Sequence, residues 1–152
     1  MGRIKESIEI TAPPQRIWDY VQDYRRRAEW DATVARFEPV GADRVDKGVT
    51  VRIKSAGFPS VEYEALYVSY EPYTVSAVKL TRPIKNVLFR SAAGSWRYRE
   101  LDSHRTLFTM TFDYDLPWGI VGEVFDRLFL LPAMRAGIRR SLGNLQRRFG
   151  PR

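Results

Sequence analysis

The sequence predicts an α+β fold in which a curved antiparallel sheet of seven strands surrounds a long C-terminal helix. Two observations support this prediction. In the last part of the chain, from Pro117 to Phe149, apolar residues recur at the spacing of a helix. Before that, apolar and polar residues alternate in runs that are interrupted by Gly, Pro and Asp, which is typical of antiparallel strands and their turns.

The C-terminal segment carries one apolar stripe along its length. At about 100° per residue the stripe covers about 120° of a helix surface, which is the width of a face that packs on a core. Its members are Ile120, Val121, Val124, Leu128, Leu131, Ile138, Leu142, Leu145 and Phe149. Pro132 lies inside the segment and is expected to kink or split the helix, because proline has no N–H to donate.

The N-terminal part predicts one strand and two short helices. Residues 3–10 alternate between apolar and charged side chains, as in a strand with one buried face. The prolines at 13 and 14 suit the first turn of a helix that continues to Val21. A second short helix is predicted over residues 23–28, with Arg25, Arg26 and Arg27 exposed, and it ends at Trp30.

The middle of the chain predicts six further strands. Their approximate ranges are 33–40, 48–55, 60–71, 74–81, 86–100 and 105–115. Turns are predicted between them at Gly41–Asp43, Phe58-Pro59, Glu71-Pro72, Arg82-Pro83 and Asp102–His104. The order is therefore a strand, two short helices, six strands and a long helix, which is the helix-grip architecture.

Composition limits the kinds of site that the chain can carry. A length of 152 residues suits one domain. The chain has no Cys and one His, His104 in a predicted turn, so we expect no disulfide and no metal site. No apolar run reaches the length of a signal peptide or a membrane span, and a cytoplasmic protein is expected.

Positive charge is concentrated in the C-terminal helix. The whole chain has a net charge of +7, and the segment from Pro117 onward carries seven Arg against Glu123 and Asp126. Such a helix face could simply be solvated, or it could contact an anionic membrane surface or a nucleic acid. No nucleic-acid-binding motif accompanies the charge, so a nucleic-acid partner is not expected.

Several short motifs resemble one known superfamily. Ala12-Pro13, Ile17-Trp18, Asp23 and Trp30 resemble the opening of START-like (SRPBCC) proteins. Gly94-Ser95-Trp96, the strand that ends before Pro117 and the long last helix also occupy the positions they have there. The chain looks most like the polyketide cyclase/dehydrase and lipid-transport group. This resemblance implies a single START-like domain over 1–152, with an apolar cavity between sheet and helix.

The resemblance and the inward aromatic face together give a set of candidate cavity-wall residues. These are Trp30, Tyr63, Tyr67, Trp96, Tyr98, Met110, Phe112, Tyr114, Phe125, Met134 and Ile138. Each could be cavity wall or ordinary core. Arg82 and Arg135 are candidates for contact with an anionic head group. The paired carboxylates Glu62/Glu64 and Asp113/Asp115 are expected on the outer face.

Three functions follow from these features. The first is non-catalytic binding or transport of a hydrophobic molecule: a lipid, an isoprenoid or a polyketide-like ring. The second is a polyketide aromatase/cyclase that acts in the same cavity, although the scarcity of His and of inward carboxylates counts against it. The third is a partner-binding module that uses the basic helix. No cofactor is expected, and the sequence leaves open whether the chain is a monomer or a homodimer.

Overall fold

The fold is known from a computed structural model, which describes residues 2–57 and 60–150. One antiparallel sheet has seven strands in the order β1-β7-β6-β5-β4-β3-β2. The strands are β1 Gly2–Ile10, β2 Val34–Val40, β3 Thr50–Ser55, β4 Glu62–Glu71, β5 Val75–Lys85, β6 Ser91–Asp102 and β7 Arg105–Asp115. The predicted helix-grip fold is confirmed, with two short helices after the first strand and a long C-terminal helix.

The two short helices begin and end close to their predicted positions. Helix α1 spans Pro14–Val21 and buries Ile17, Trp18 and Val21. A 3₁₀ turn, Tyr24–Arg26, follows, and helix α2 spans Arg27–Trp30. Asp23 caps the 3₁₀ turn, because its side chain accepts a hydrogen bond from the backbone N–H of Arg25.

The C-terminal helix is continuous but changes its winding in the middle. Helix α3 spans Gly119–Phe125, a π turn spans Asp126–Leu130, and helix α4 spans Leu131–Phe149. The π turn ends just before Pro132. Proline cannot donate the next α-helical hydrogen bond, and a π turn is a recognised way for a helix to pass such a position.

The prediction that the apolar stripe packs along the whole helix is wrong for its first half. In α4, Ile138, Leu142 and Leu145 are at most 5% exposed. In α3 and the π turn, Ile120 is 80% and Val121 is 73% exposed. The π turn explains the difference, because its additional residue rotates the first half of the stripe by about 100° relative to the second half.

The core lies between α4, α1 and one face of the sheet. Alternation along each strand supplies that face, as in β7, where Phe108 and Met110 are buried. Ile4 and Ile10 of β1 join them at zero exposure. Glu6 lies on the same face of β1 as Ile4 and Ile10, and Arg135 and Arg139 of α4 each lie 3.3 Å from its carboxylate.

Two predicted turns need comment. The predicted break at Arg82-Pro83 is wrong, because β5 continues to Lys85 and the chain leaves the sheet after it. This part of β5 pairs with β4 but not with β6, and two bulges interrupt the β4–β5 pairing beside Pro83. A proline is tolerated there because one side of the strand has no ladder bonds to lose. The predicted Phe58-Pro59 turn lies outside the described residues.

Within residues 2–57 and 60–150, no helix has the length and apolar character needed to cross a membrane.

Candidate functional site

A cavity of about 460 Å³ lies between the sheet and α4. This volume falls in the range of small-molecule sites, which is about 300–1,000 Å³. Its wall is mostly apolar: the sheet contributes Ile53, Val78 and Leu80, among others, and the last helix contributes Leu130 and Ala133. Small side chains on β6 leave the space, because Ala92 and Gly94 stand where larger residues would fill it.

Six of the eleven candidate wall residues line this cavity. They are Tyr63, Trp96, Met110, Phe112, Met134 and Ile138. They come from β4, β6, β7 and α4, so residues far apart in the sequence meet in one space. Their role in binding stays a prediction.

The other five candidates lie elsewhere. Trp30 and Tyr67 are buried in the core, each at 1% exposure. The Tyr98 hydroxyl accepts a hydrogen bond of 2.9 Å from Gln22 Nε2, under helix α1. The Tyr114 hydroxyl donates to Asp126 of the π turn. Phe125, at the end of α3, is 37% exposed to solvent and is not part of the cavity wall.

Neither arginine that was considered for head-group contact lines the cavity. Arg82 lies on the outer face, where its Nε is 2.9 Å from Glu64 Oε1. Arg82 and Arg52 together lower the pKa of Glu64 to about 2. Arg135 Nε lies 3.3 Å from Glu6 Oε1 across the edge of the sheet. Both side chains therefore have an acidic partner outside the cavity.

A buried ion pair lies in the cavity wall, and it was not predicted from the sequence. Arg27 is 3% and Asp31 is 1% exposed, so the prediction that Arg27 is exposed is wrong. Arg27 Nε donates to Asp31 Oδ2 at 2.8 Å. The guanidinium carbon of Arg27 also lies 4.4–4.8 Å from the ring centroids of Trp96, Phe37 and Trp30. Aromatic faces replace part of the water that such a cation loses on burial.

Asp31 and its neighbours also connect the end of helix α2 to helix α4 by hydrogen bonds. Its Oδ1 accepts hydrogen bonds from the backbone N–H of Thr33 at 3.0 Å and from the Thr33 hydroxyl at 2.5 Å. The Ser141 hydroxyl lies 3.3 Å from the same oxygen and accepts from the Ala32 N–H at 2.9 Å. Asn144 of α4 donates to the carbonyl of Trp30 at 3.0 Å. This network fixes one end of the cavity.

Tyr63 adds a hydroxyl beside the ion pair. Burial raises its pKa to about 12, the charge of Asp31 adds to the rise, and Arg27 opposes it. Tyr63 is therefore protonated at neutral pH and can donate a hydrogen bond into the cavity. A sequence signal for the ion pair did exist, since Arg27 and Asp31 are four residues apart, the spacing of a helical salt bridge.

In the described part of the chain, no group of three or more His, Cys, Asp or Glu side chains could hold a metal ion. The polar residues that line the cavity are Arg27, Asp31, Thr33, Ser55, Tyr63, Trp96 and Thr111.

A curved sheet that closes on a long helix around an internal cavity defines a helix-grip protein with a small-molecule cavity. The chain belongs to the family described as polyketide cyclase/dehydrase and lipid transport, whose sequence profile matches residues 1–150. The START-like resemblance of the sequence is thereby confirmed. Among curated proteins, no sequence match to the chain was found.

Solved structures of low sequence identity share the fold. The protein TTHA0849 from Thermus thermophilus has a TM-score of 0.78 at 17% identity and covers 97% of each chain. The Zhui aromatase/cyclase from a Streptomyces species has a TM-score of 0.71 at 16% identity, over 97% of this chain and 94% of that one. Norcoclaurine synthase from Thalictrum flavum, in complex with dopamine and hydroxybenzaldehyde, has a TM-score of 0.66 at 12% identity, over 99% and 89%.

Proposed function

We propose that the protein binds or carries a hydrophobic small molecule in the cavity between the sheet and α4. The observation that carries this proposal is the cavity itself, with its volume of about 460 Å³ and its apolar wall. Burial of apolar ligand surface, at about 25 cal/mol per Å², would supply most of the affinity. The lipid-transport part of the family description supports the same reading.

A co-purified ligand is the first test of this proposal. We expect that native and denaturing mass spectra will differ by the mass of one apolar molecule per chain, and that solvent extraction will recover it. Titration with a fluorescent fatty acyl or naphthalene probe gives an independent measurement, because a probe that enters an apolar site changes its emission. A protein that is empty and binds none of these probes would contradict the proposal.

An enzyme of the aromatase/cyclase type is the second candidate. Arg27 and Tyr63 favour it, because both lie in the cavity wall and both can donate a hydrogen bond to a carbonyl oxygen. A fold relative, the Zhui protein, is an aromatase/cyclase. Incubation of the purified protein with a poly-keto thioester, followed by mass analysis, separates the candidates. Loss of water with formation of a new aromatic ring would identify the enzyme, whereas unchanged substrate would favour the carrier.

Contact with an anionic membrane is a further part of the proposed carrier function. The exposed apolar face of the C-terminal helix consists of Ile120, Val121, Val124, Leu128 and Phe129, each at least 52% exposed. Arg127 lies exposed within it, and further exposed arginines follow along α4. Apolar side chains flanked by arginine suit the surface of an anionic bilayer. The next residue, Leu130, lines the cavity, so this face lies beside it.

Vesicle binding tests the role of this face. Val121→Asp is expected to reduce co-sedimentation with vesicles that contain phosphatidylglycerol several-fold, because a carboxylate disfavours both the apolar layer and the anionic surface. Val68→Asp is the matched control, since Val68 is 41% exposed on β4. An equal effect of the two substitutions, or no binding by the unmodified protein, would contradict the membrane contact.

A further inference from the structure

One part of the cavity wall contains hydrogen-bond donors that have no partner within the protein. Trp96 lines the cavity and is 6% exposed, and its indole N–H makes no hydrogen bond with any described residue. The neighbouring Tyr63 lines the same cavity, and none of the side-chain hydrogen bonds in the described part of the chain involves its hydroxyl. A buried donor without an acceptor is costly, so such groups point to a missing partner.

Arg27 lies against the same part of the wall. A guanidinium has five N–H donors, of which Asp31 takes the Nε–H at 2.8 Å. The charge of Arg27 also acts on the Tyr67 hydroxyl, where it opposes the effect of burial on the pKa of Tyr67. Arg27 therefore retains further donors for a third group in the cavity.

The main acceptor in this region, Asp31, is largely occupied. An ionised carboxylate accepts about four hydrogen bonds. Asp31 Oδ2 accepts from Arg27, and Oδ1 accepts from the backbone N–H and the hydroxyl of Thr33. The Ser141 hydroxyl lies 3.3 Å from Oδ1 and 2.9 Å from the Gly137 carbonyl, to which it can also donate. Asp31 thus has little capacity left for a ligand donor. The group that fits this part of the cavity is one that accepts hydrogen bonds.

The charges favour a neutral acceptor. Arg27 and Asp31 carry opposite charges in direct contact, so the pair as a whole is neutral. A carboxylate would lose its water on entering the apolar cavity and would lie near the Asp31 charge, while Arg27 is already paired. A carbonyl oxygen needs only donors and has no full charge to desolvate.

We propose that Tyr63, Trp96 and Arg27 form a donor cluster that binds the neutral carbonyl oxygen of an otherwise apolar ligand, such as a ketone, an ester or a quinone. The cluster selects such ligands over fatty-acid anions. This inference rests on the proposed binding function and names the ligand class of the same cavity.

Three naphthalene probes of similar shape test the inference. Acetonaphthone carries a neutral carbonyl, ethylnaphthalene lacks any oxygen, and naphthoate carries a charge. Dissociation constants are measured by calorimetry for the unmodified protein and for Tyr63→Phe. The substitution removes one hydroxyl from the cavity and keeps the aromatic ring. Tyr73→Phe is the matched control, because Tyr73 is 44% exposed and is not part of the cavity wall.

The expected result is a selective loss. Tyr63→Phe weakens acetonaphthone binding about two- to tenfold, as expected for one hydrogen bond, and leaves ethylnaphthalene binding unchanged. Tyr73→Phe changes neither. In the unmodified protein, naphthoate binds at least about tenfold more weakly than acetonaphthone.

Two outcomes would overturn the inference while leaving the binding function intact. In the first, Tyr63→Phe changes ketone and hydrocarbon binding by the same factor, so the hydroxyl is not used. In the second, naphthoate binds as tightly as the ketone, so the cavity accepts anions. If none of the probes binds, the inference fails together with the proposed function.

Discussion

Replacement of Asp31 by alanine is expected to lower the free energy of unfolding by about 3–5 kcal/mol, the usual cost of leaving one member of a buried ion pair alone. Arg27 would keep its charge at 3% exposure with no carboxylate beside it. The backbone N–H and the hydroxyl of Thr33 would lose their acceptor at the same time. Urea denaturation followed by tryptophan fluorescence measures the change.

Two variants make this result interpretable. Asp113→Ala removes an aspartate from the exposed ion pair with Arg3 and is expected to cost about 0–1 kcal/mol. The double variant Arg27→Met, Asp31→Leu removes both buried charges and is expected to recover most of the stability lost by Asp31→Ala. If Asp31→Ala costs no more than Asp113→Ala, the pair is not buried as the structure shows.

Replacement of Ala92 by phenylalanine is expected to abolish ligand binding without unfolding the protein. Ala92 is 9% exposed on β6 and lines the cavity, so a ring at this position would occupy the space that a ligand needs. A loss of affinity for an apolar probe of at least about tenfold is expected, which corresponds to about 1.4 kcal/mol. Fluorescence titration with the same probe before and after the substitution measures it.

The stability of the same variant tests whether the space is empty. A phenyl ring forced into a filled core costs about 1–3 kcal/mol, whereas a ring that fills a void gains contacts. Ala92→Phe is therefore expected to keep its unfolding midpoint or raise it. Ala77→Phe on the outer face of β5 is the matched control and should leave probe binding unchanged. A marked loss of stability in Ala92→Phe alone would indicate that the region is tightly packed.

The fold could be predicted largely because its strands have one buried face. Alternation over β7 predicts that Phe108 and Met110 are packed, and both are buried. The ends of elements were harder to predict. Pro83 was predicted to lie in a turn, because the sequence does not show that this part of β5 has no neighbouring strand on one side.

The candidate site could be predicted only in part, because alternation gives the face of a strand but not the position along it. Tyr63 and Tyr67 both face inward from β4, but Tyr63 lines the cavity and Tyr67 packs in the core. Their difference depends on where α1 and α4 cover the sheet, which is a property of the tertiary structure.

Arg27 was missed for a different reason. It is the last of three consecutive arginines, and charged residues are almost never fully buried unless they are paired. Asp31, four residues after Arg27, was the one sign in the sequence of such a partner. Of the three aromatic rings around the guanidinium, only Trp30 lies nearby on α2; the other two come from β2 and β6, so no local pattern could have revealed them.

The π turn makes the number of residues in the C-terminal helix as important as their identity. A π turn holds one residue more than the α-helical turn that it replaces, so removal of a single residue between Asp126 and Leu130 would let the helix continue as a regular α-helix while the preceding helix keeps its orientation. Conversion of the same five residues to α-helix without a deletion would instead turn the preceding helix by about 100°, carrying Ile120 and Val121 towards the protein interior. The exposed apolar face therefore tolerates the loss of one residue in this stretch, but not the loss of the π turn alone.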